Sequence, residues 1–365
     1  MTDDLFDSFH DPAIGRRLAE ELRRIRLKQS LRLMHVCGTH EHAIAKAGIR
    51  SFLPDGLRLI AGPGCPVCVC PAGDIEMAIQ ATERDDVIVA TFGDMFRVPS
   101  SRTSLEEMKA SGADVRIVYS PMDAVRIAEE NTDREVVFMA VGFETTAAPI
   151  AATLLSGPPR NFSIVASIRL IPPALKFLLD RGGGSVDGFV LPGHVSVIIG
   201  KAGYQFLESQ YGVPCVIAGF ESVDVMQAVI ELIHEAEGDP PYRVANLYRR
   251  VVSETGNKLA QEAIDKVFTV SDSQWRGIGS IPSSGLVLRP EYYHLDAAMK
   301  LGLKARGHDA DLLPGCICNQ VILGDSEPEE CPLFGTGCTP YRPHGPCMVS
   351  SEGTCRARYL YRPVT

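Results

Sequence analysis

Long apolar runs are missing from this chain. No stretch approaches the roughly 18 uninterrupted apolar residues of a membrane-spanning helix, so a helical membrane protein is not expected. A secretory leader pattern is missing as well. Residues Met1 to Pro12 are acidic and polar, without a basic start followed by an apolar stretch. Positive charge is in deficit: 36 Lys and Arg against 45 Asp and Glu give a net −9. Such a surface suits solubility and basic partners and is a poor match for a nucleic-acid backbone. No repeat of fixed period and no low-complexity tract is present. These absences leave a cytoplasmic globular protein. Its 365 residues, 45% hydrophobic and 22% charged, are enough for two or three domains with real cores.

Cysteine is what the chain has in plenty. Of eleven, Cys37, Cys65, Cys68 and Cys70 lie near the N-terminus, while Cys316, Cys318, Cys331, Cys338, Cys347 and Cys355 crowd the last fifty residues. Cys215 stands alone in an apolar run and reads as core. In a reducing compartment this clustering points to metal or sulfur chemistry before disulfide staples.

Strand-length apolar runs recur at Leu31 to Val36, Leu57 to Ala61, Val87 to Phe92, Val115 to Tyr119, Val136 to Val141, Ile164 to Ile168, Gly188 to Leu191 and Val213 to Ala218. Helical patterns alternate with them, among them Ile14 to Gln29, Glu41 to Ala47, Met122 to Glu130 and Val223 to Glu237. Buried strands alternating with helices argue for parallel sheets covered on both faces. The expected fold is α/β: two parallel-sheet units at 1–135 and 136–240, then a helical, cysteine-rich segment at 241–365. Tyr242 to Phe268 reads as one long helix or two short ones, and elements from Ile281 onward as brief. A segment so poor in regular structure would gain order from a bound metal cluster.

The tail lacks the closely paired cysteines of a structural zinc site. Cys331, Cys338, Cys347 and Cys355 are instead separated by six, eight and seven residues rich in Gly and Pro. Thiolates select iron–sulfur clusters or zinc, and a [4Fe–4S] cluster held by these four is the expected reading. Zinc and a disulfide framework are the alternatives. Cys316 and Cys318 compete for the same places, either as ligands, as spares or as a redox pair.

Near the N-terminus, Gly64-Cys65-Pro66-Val67-Cys68 is a Cys-x-x-Cys unit that follows a strand and opens a helix, a placement that favours redox chemistry. Metal ligation or simple burial are its alternatives. Cys37-Gly38-Thr39-His40-Glu41-His42 puts a thiol, two imidazoles and a carboxylate within six residues, a set suited to a transition metal or to proton transfer. Successive helical side chains diverge, so one of Glu41 and His42, not both, is expected to face Cys37. Glu144 and His194 also follow strands, where a polar cleft role competes with turn and cap chemistry.

These motifs resemble the HypD family of [NiFe] hydrogenase maturation factors. The resemblance runs over nearly the whole chain: Cys37-Gly38-Thr39-His40-Glu41, Gly62 to Cys68, Phe92-Gly93-Asp94-Met95, Pro192 to Ser196, Cys331 to Gly335 and Gly345 to Ser350. It implies two α/β domains with a C-terminal [4Fe–4S] domain. It also implies a HypC-like chaperone partner, a HypE-like cyanide donor and, indirectly, the hydrogenase large subunit, which receives the finished Fe(CN)2CO unit. By the same resemblance Cys37 would hold the iron, His40 and Glu41 would orient the site or hold protons, and Cys65 with Cys68 would be a redox dithiol beside the cluster. The chain departs from the family pattern at Cys70, Ile168-Arg169, Ser222 and Asn319. A stand-alone iron–sulfur disulfide oxidoreductase and a zinc-stabilised binding module are the competing readings.

Overall fold

The computed structural model describes residues 11–182, 186–305 and 311–362. The leader argument therefore falls almost wholly on residues outside the described ones. Among the described residues no helix is long and apolar enough to cross a membrane.

Two mostly parallel sheets form the frame. Strands β1 (Leu31–His35), β2 (Leu57–Ala61), β3 (Val87–Phe92), β4 (Val115–Val118), β5 (Glu135–Gly142), β6 (Phe162–Arg169), β7 (Gly188–Pro192), β8 (Cys215–Ala218), β9 (Val244–Asn246), β10 (Phe268–Trp275) and β11 (Gly279–Leu288) follow in chain order. The first sheet has the order β2-β1-β7-β8-β9 and is parallel throughout. The second has the order β10-β11-β6-β5-β3-β4, parallel from β6 to β4, with the β10–β11 hairpin antiparallel at one edge.

The Val-, Ile- and Leu-rich strands are buried on both faces, as parallel strands covered by helices must be. Three apolar clusters result. One lies between the sheets and runs on into the cysteine-rich tail, joining Met34, Val89, Phe189, Trp275 and Cys347. The other two lie beneath outer helices, on the second sheet around Phe138 and Phe162 and on the first around Leu22 and Val229.

The sheets do not follow contiguous stretches of chain. Residues 31–61 and 188–246 build the first and residues 87–169 and 268–288 the second, so a cut at 135/136 enters the start of β5, which pairs with β3 on one side and β6 on the other. Two sequence expectations need correction. The helix expected over 242–268 is confined to Lys258–Val267. Before it, buried Val244 pairs with Cys215 in the edge strand β9, and Gly256, at φ 70°, fits closely against Gly200. Ile281, where brief elements are expected to begin, lies inside the ten-residue strand β11. Its Ser- and Gly-rich sequence hides the strand because one neighbour is the exposed hairpin partner.

Candidate functional site

Each N-terminal motif sits where a strand ends. Cys37 is the N-cap of the helix Gly38–Lys46 directly after β1, and Cys65 is the N-cap of the short helix Pro66–Val69 after β2. The two loops are pressed together. Gly38 N donates to Gly64 O at 3.1 Å, and a Cβ on Gly64 would lie 2.2 Å from Cys37 N. Only glycine permits that approach. Cys65 and Cys68 form a disulfide with Cα atoms 5.3 Å apart, and the Cys68 amide donates to Cys65 Sγ at 3.2 Å.

The tail closes over both loops. A Cβ on Gly38 would meet Glu352 Cβ at 2.4 Å, and Thr39 Oγ1 donates to Glu352 Oε1 at 3.0 Å. From the second sheet, Asp94 Oδ2 accepts from Ser350 Oγ (3.1 Å), Ser351 N (2.8 Å) and Ser351 Oγ (2.8 Å). The residues Ser350 to Glu352 are thus gripped between the carboxyl ends of β1 and β3. Strand carboxyl ends are where open α/β sheets bind ligands.

Electrostatics separate the roles of the first motif. Burial pushes the Cys37 thiol up to about 11, and the nearby Glu352 carboxylate adds to this, while the amides of His40 and Thr39 and the Thr39 hydroxyl pull the other way. Burial and the neighbouring His35 bring His40 down to about 3. His40 is therefore a neutral imidazole whose Nε2–H donates to Gly219 O at 2.9 Å, and its Nδ1 is a buried acceptor without a partner. Burial also works against the Glu41 charge, but Arg50 and His35 outweigh it and bring the carboxyl down to about 2. Its oxygens accept from Arg50 Nη1 (2.9 Å) and Nη2 (2.6 Å), and Oε2 pairs with His35 Nε2 at 2.7 Å. His42 turns away to Tyr361 OH at 3.2 Å. Glu41 and His42 do diverge, but both are committed to partners other than Cys37.

The six tail cysteines share one pocket. Cys316, Cys318, Cys331, Cys338, Cys347 and Cys355 line it together with Gly345 and the apolar side chains of Ile317, Val321, Leu333, Phe334 and Met348. Hydrogen bonds from Cys316 and Cys347 hold the Cys318 thiol well below its ordinary range, while Cys347 is pushed up by Cys318 and Cys355. His344 N donates to Cys338 Sγ at 3.2 Å. Among the described residues no group of three or more His, Cys, Asp or Glu is arranged to hold a metal ion.

Of its two alternatives Glu144 takes the capping one, while the contact of His194 decides neither. Glu144 is buried, its Oε1 accepting from Ile171 N at 3.0 Å and its Oε2 unpartnered, and burial raises it to about 7. It thus tends the amino end of another helix, Ile171–Asp180. His194 stacks on Phe220 at 3.9 Å. Cys215 is buried within β8, with its Sγ against Val213 O. Sequence reasoning misses Glu352, Asp94's grip on the tail and the Arg50–Glu41–His35 network. The only signal for Glu352 is a lone carboxylate set among Ser and Gly beside a cysteine.

The family model described as "Hydrogenase formation hypA family" and labelled HypD matches residues 13–362. "Hydrogenase maturation factor HypD2" of Bradyrhizobium diazoefficiens is 45% identical over 97% of this chain and 96% of its own length. "Hydrogenase maturation factor HypD" of Escherichia coli is 43% identical over 98% of this chain and 97% of its own. The HypD of Cupriavidus necator is 41% identical over 97% and 96%. With the strand-end cysteine loops closed by a cysteine-lined tail, and with these matches from end to end, the chain belongs to the HypD family of hydrogenase maturation factors.

Proposed function

We propose that the protein is a cofactor-assembly scaffold for [NiFe] hydrogenase. With a HypC-like chaperone it holds iron at Cys37 while cyanide from a HypE-like donor and a carbonyl are added. The Fe(CN)2CO unit then passes to the hydrogenase large subunit. One observation carries the reading: Cys37, the Cys65–Cys68 disulfide loop and the cysteine-lined tail meet at one place, through Gly64 on one side and Glu352 on the other.

At rest Cys37 keeps its proton. A ferrous ion displaces such a proton, because only the thiolate ligates. The first turn of the helix Gly38–Lys46 then offers the Thr39 and His40 amides to the sulfur. His40, locked as the Nε2–H tautomer by Gly219 O, stays neutral and keeps its Nδ1 lone pair as a buried hydrogen-bond acceptor. Glu41 acts one step removed: paired with Arg50 and His35, it stiffens the turn that carries His40.

The tail pocket presents only thiols and apolar walls, a donor set that suits an iron–sulfur cluster and not an oxygen-seeking cation. Cys331, Cys338, Cys347 and Cys355 would hold the [4Fe–4S] cluster, which when bound supplies one-electron chemistry to the neighbouring dithiol. Cys316 and Cys318 line the same pocket and remain as spares.

Anaerobic purification with iron, sulfide and zinc analysis, before and after co-expression with the chaperone, tests the proposal. About four irons per chain, with extra iron and cyanide and carbonyl infrared bands on co-expression, is the expected result. Cluster iron without those bands would favour the stand-alone oxidoreductase. Zinc alone would overturn both.

A further inference from the structure

Cys37 is only 9% exposed. On the proposed function, the iron at its sulfur carries three diatomic ligands and has a chaperone beside it. A sulfur so covered has room for neither, so part of its surroundings has to move.

Those surroundings are held with unequal firmness. On one side the bonds run from backbone to backbone: Val36 N donates to Val190 O at 3.1 Å, and Gly38 N to Gly64 O at 3.1 Å. They prolong the pairing of β1 with β7 and lock the two cysteine loops together, so opening there would disturb the sheet. On the other side lie residues 350–352 of the tail. Glu352 rests on Gly38, and its Oε1 accepts from Thr39 Oγ1 at 3.0 Å. The single oxygen Asp94 Oδ2 takes three donors, Ser350 Oγ, Ser351 N and Ser351 Oγ. Among the described residues no backbone-to-backbone bond ties residues 350–352 to either sheet.

The shape of this loop suits outward movement. Its base is pinched: Gly353 N donates to Ser350 O at 3.0 Å, and a Cβ on Gly353 would lie 2.0 Å from Cys347 O. Its flanking helices, Pro346–Val349 and Thr354–Leu360, pack on Pro66–Val69 and Gly38–Lys46 respectively. Ser351 at the tip is exposed, with solvent beyond it. The tip can therefore swing out while both ends stay seated. Segments held by few bonds open locally at a small fraction of the cost of unfolding.

We propose that residues 350–352 are a lid over Cys37 and that Asp94 is its latch, a positioning residue that sets how often iron and chaperone can reach the sulfur. The inference rests on the reading of Cys37 as the iron-holding thiol. Bonds to a carboxylate are among the stronger hydrogen bonds. Because three of them end on one oxygen, the lid is shut at rest and is released as a unit.

The test is timed alkylation of the anaerobic full-length protein with iodoacetamide, read by peptide mass mapping. Cys215, buried in β8, is the control thiol. Asp94→Ala removes all three bonds and should speed Cys37 labelling about thirtyfold. Ser351→Ala removes one bond, changes no charge and should speed it about threefold. Ser351→Thr keeps a hydroxyl and should label as wild type does, and Cys215 should be unchanged throughout. If Asp94→Ala does not fold, the two Ser351 variants carry the test. Unchanged Cys37 labelling in Ser351→Ala would overturn the inference. So would equal acceleration at Cys215, or wild-type Cys37 labelling as fast as in the urea-unfolded chain. Iron uptake with the chaperone that survives Cys37→Ala would instead remove the reading of Cys37, and the lid's role with it.

Discussion

The two cysteine regions are built in opposite ways. Cys37, Cys65 and Cys68 hang from the ends of β1 and β2, paired over five residues each and flanked by β7. Their positions are set by a hydrogen-bonded ladder that needs nothing bound. The tail cysteines hang from short pieces, Cys318–Ile322, Pro346–Val349 and Thr354–Leu360, with only isolated bridges such as Phe334 to Cys338 between them. Their side chains make a pocket wall, and a wall of thiols is ordered by what it binds. A loop set by strand pairing thus meets one that we propose a cluster orders, and Glu352 is a contact that joins them.

The largest expected effect sharpens that contrast. Removing the proposed cluster with a chelator, or replacing Cys347 with Ser, should raise amide exchange across 316–360 toward that of an unfolded chain. The strands of both sheets should keep their protection. Equal loss in the strands would break the comparison, because the tail would then be part of one cooperative unit.

Next in size is Arg50→Ala. It leaves the Glu41 carboxylate buried without its main counter-charge, and breaking a buried pair this way costs about 3–5 kcal/mol. Denaturant unfolding of the purified protein measures it. A change below about 1 kcal/mol would mean that the network does not stiffen the first loop.

Glu144→Gln should have a smaller, pH-dependent effect. The folded protein holds the Glu144 proton up to about 7, against an ordinary value of 4.5. Its contribution is full below about 4.5 and is lost as pH rises through about 7, because the folded state then binds more protons than the unfolded one. The variant should therefore match wild type at pH 4 and exceed it at pH 8 by up to about 3 kcal/mol. Parallel stability curves at the two pH values would contradict this.

The smallest effect concerns the joint itself. Glu352→Gln removes a negative charge beside Cys37, so the thiol should ionise more readily and alkylate about threefold faster at pH 8, about half a pKa unit. No change would place the carboxylate too far from the sulfur to matter.

Much of the frame is legible in the sequence because parallel strands announce themselves: Val87 to Phe92 and Leu57 to Ala61 are apolar but for Thr91 and Arg58 and occur as strands with those bounds. The interleaving of the two sheets is not legible, since strand runs look alike whichever sheet receives them. Strand β9 is hidden because an edge strand needs few apolar residues. Cys37, Cys65 and Cys68 stand out through rare residues at close spacing. Glu352 does not, being brought to Thr39 across 313 positions by the tail's path over the strand ends. Cys70 and Ser167, 97 positions apart, each look isolated until the loop after β2 is laid against β6.

The most direct test of the central claim is the infrared spectrum of the anaerobic protein–chaperone complex, recorded for wild type and for Cys37→Ala with iron and sulfide measured alongside. The account predicts cyanide and carbonyl bands in wild type. In the variant it predicts their loss, with cluster iron and sulfide unchanged. Bands of equal strength in Cys37→Ala would show that the iron is held elsewhere and would contradict it.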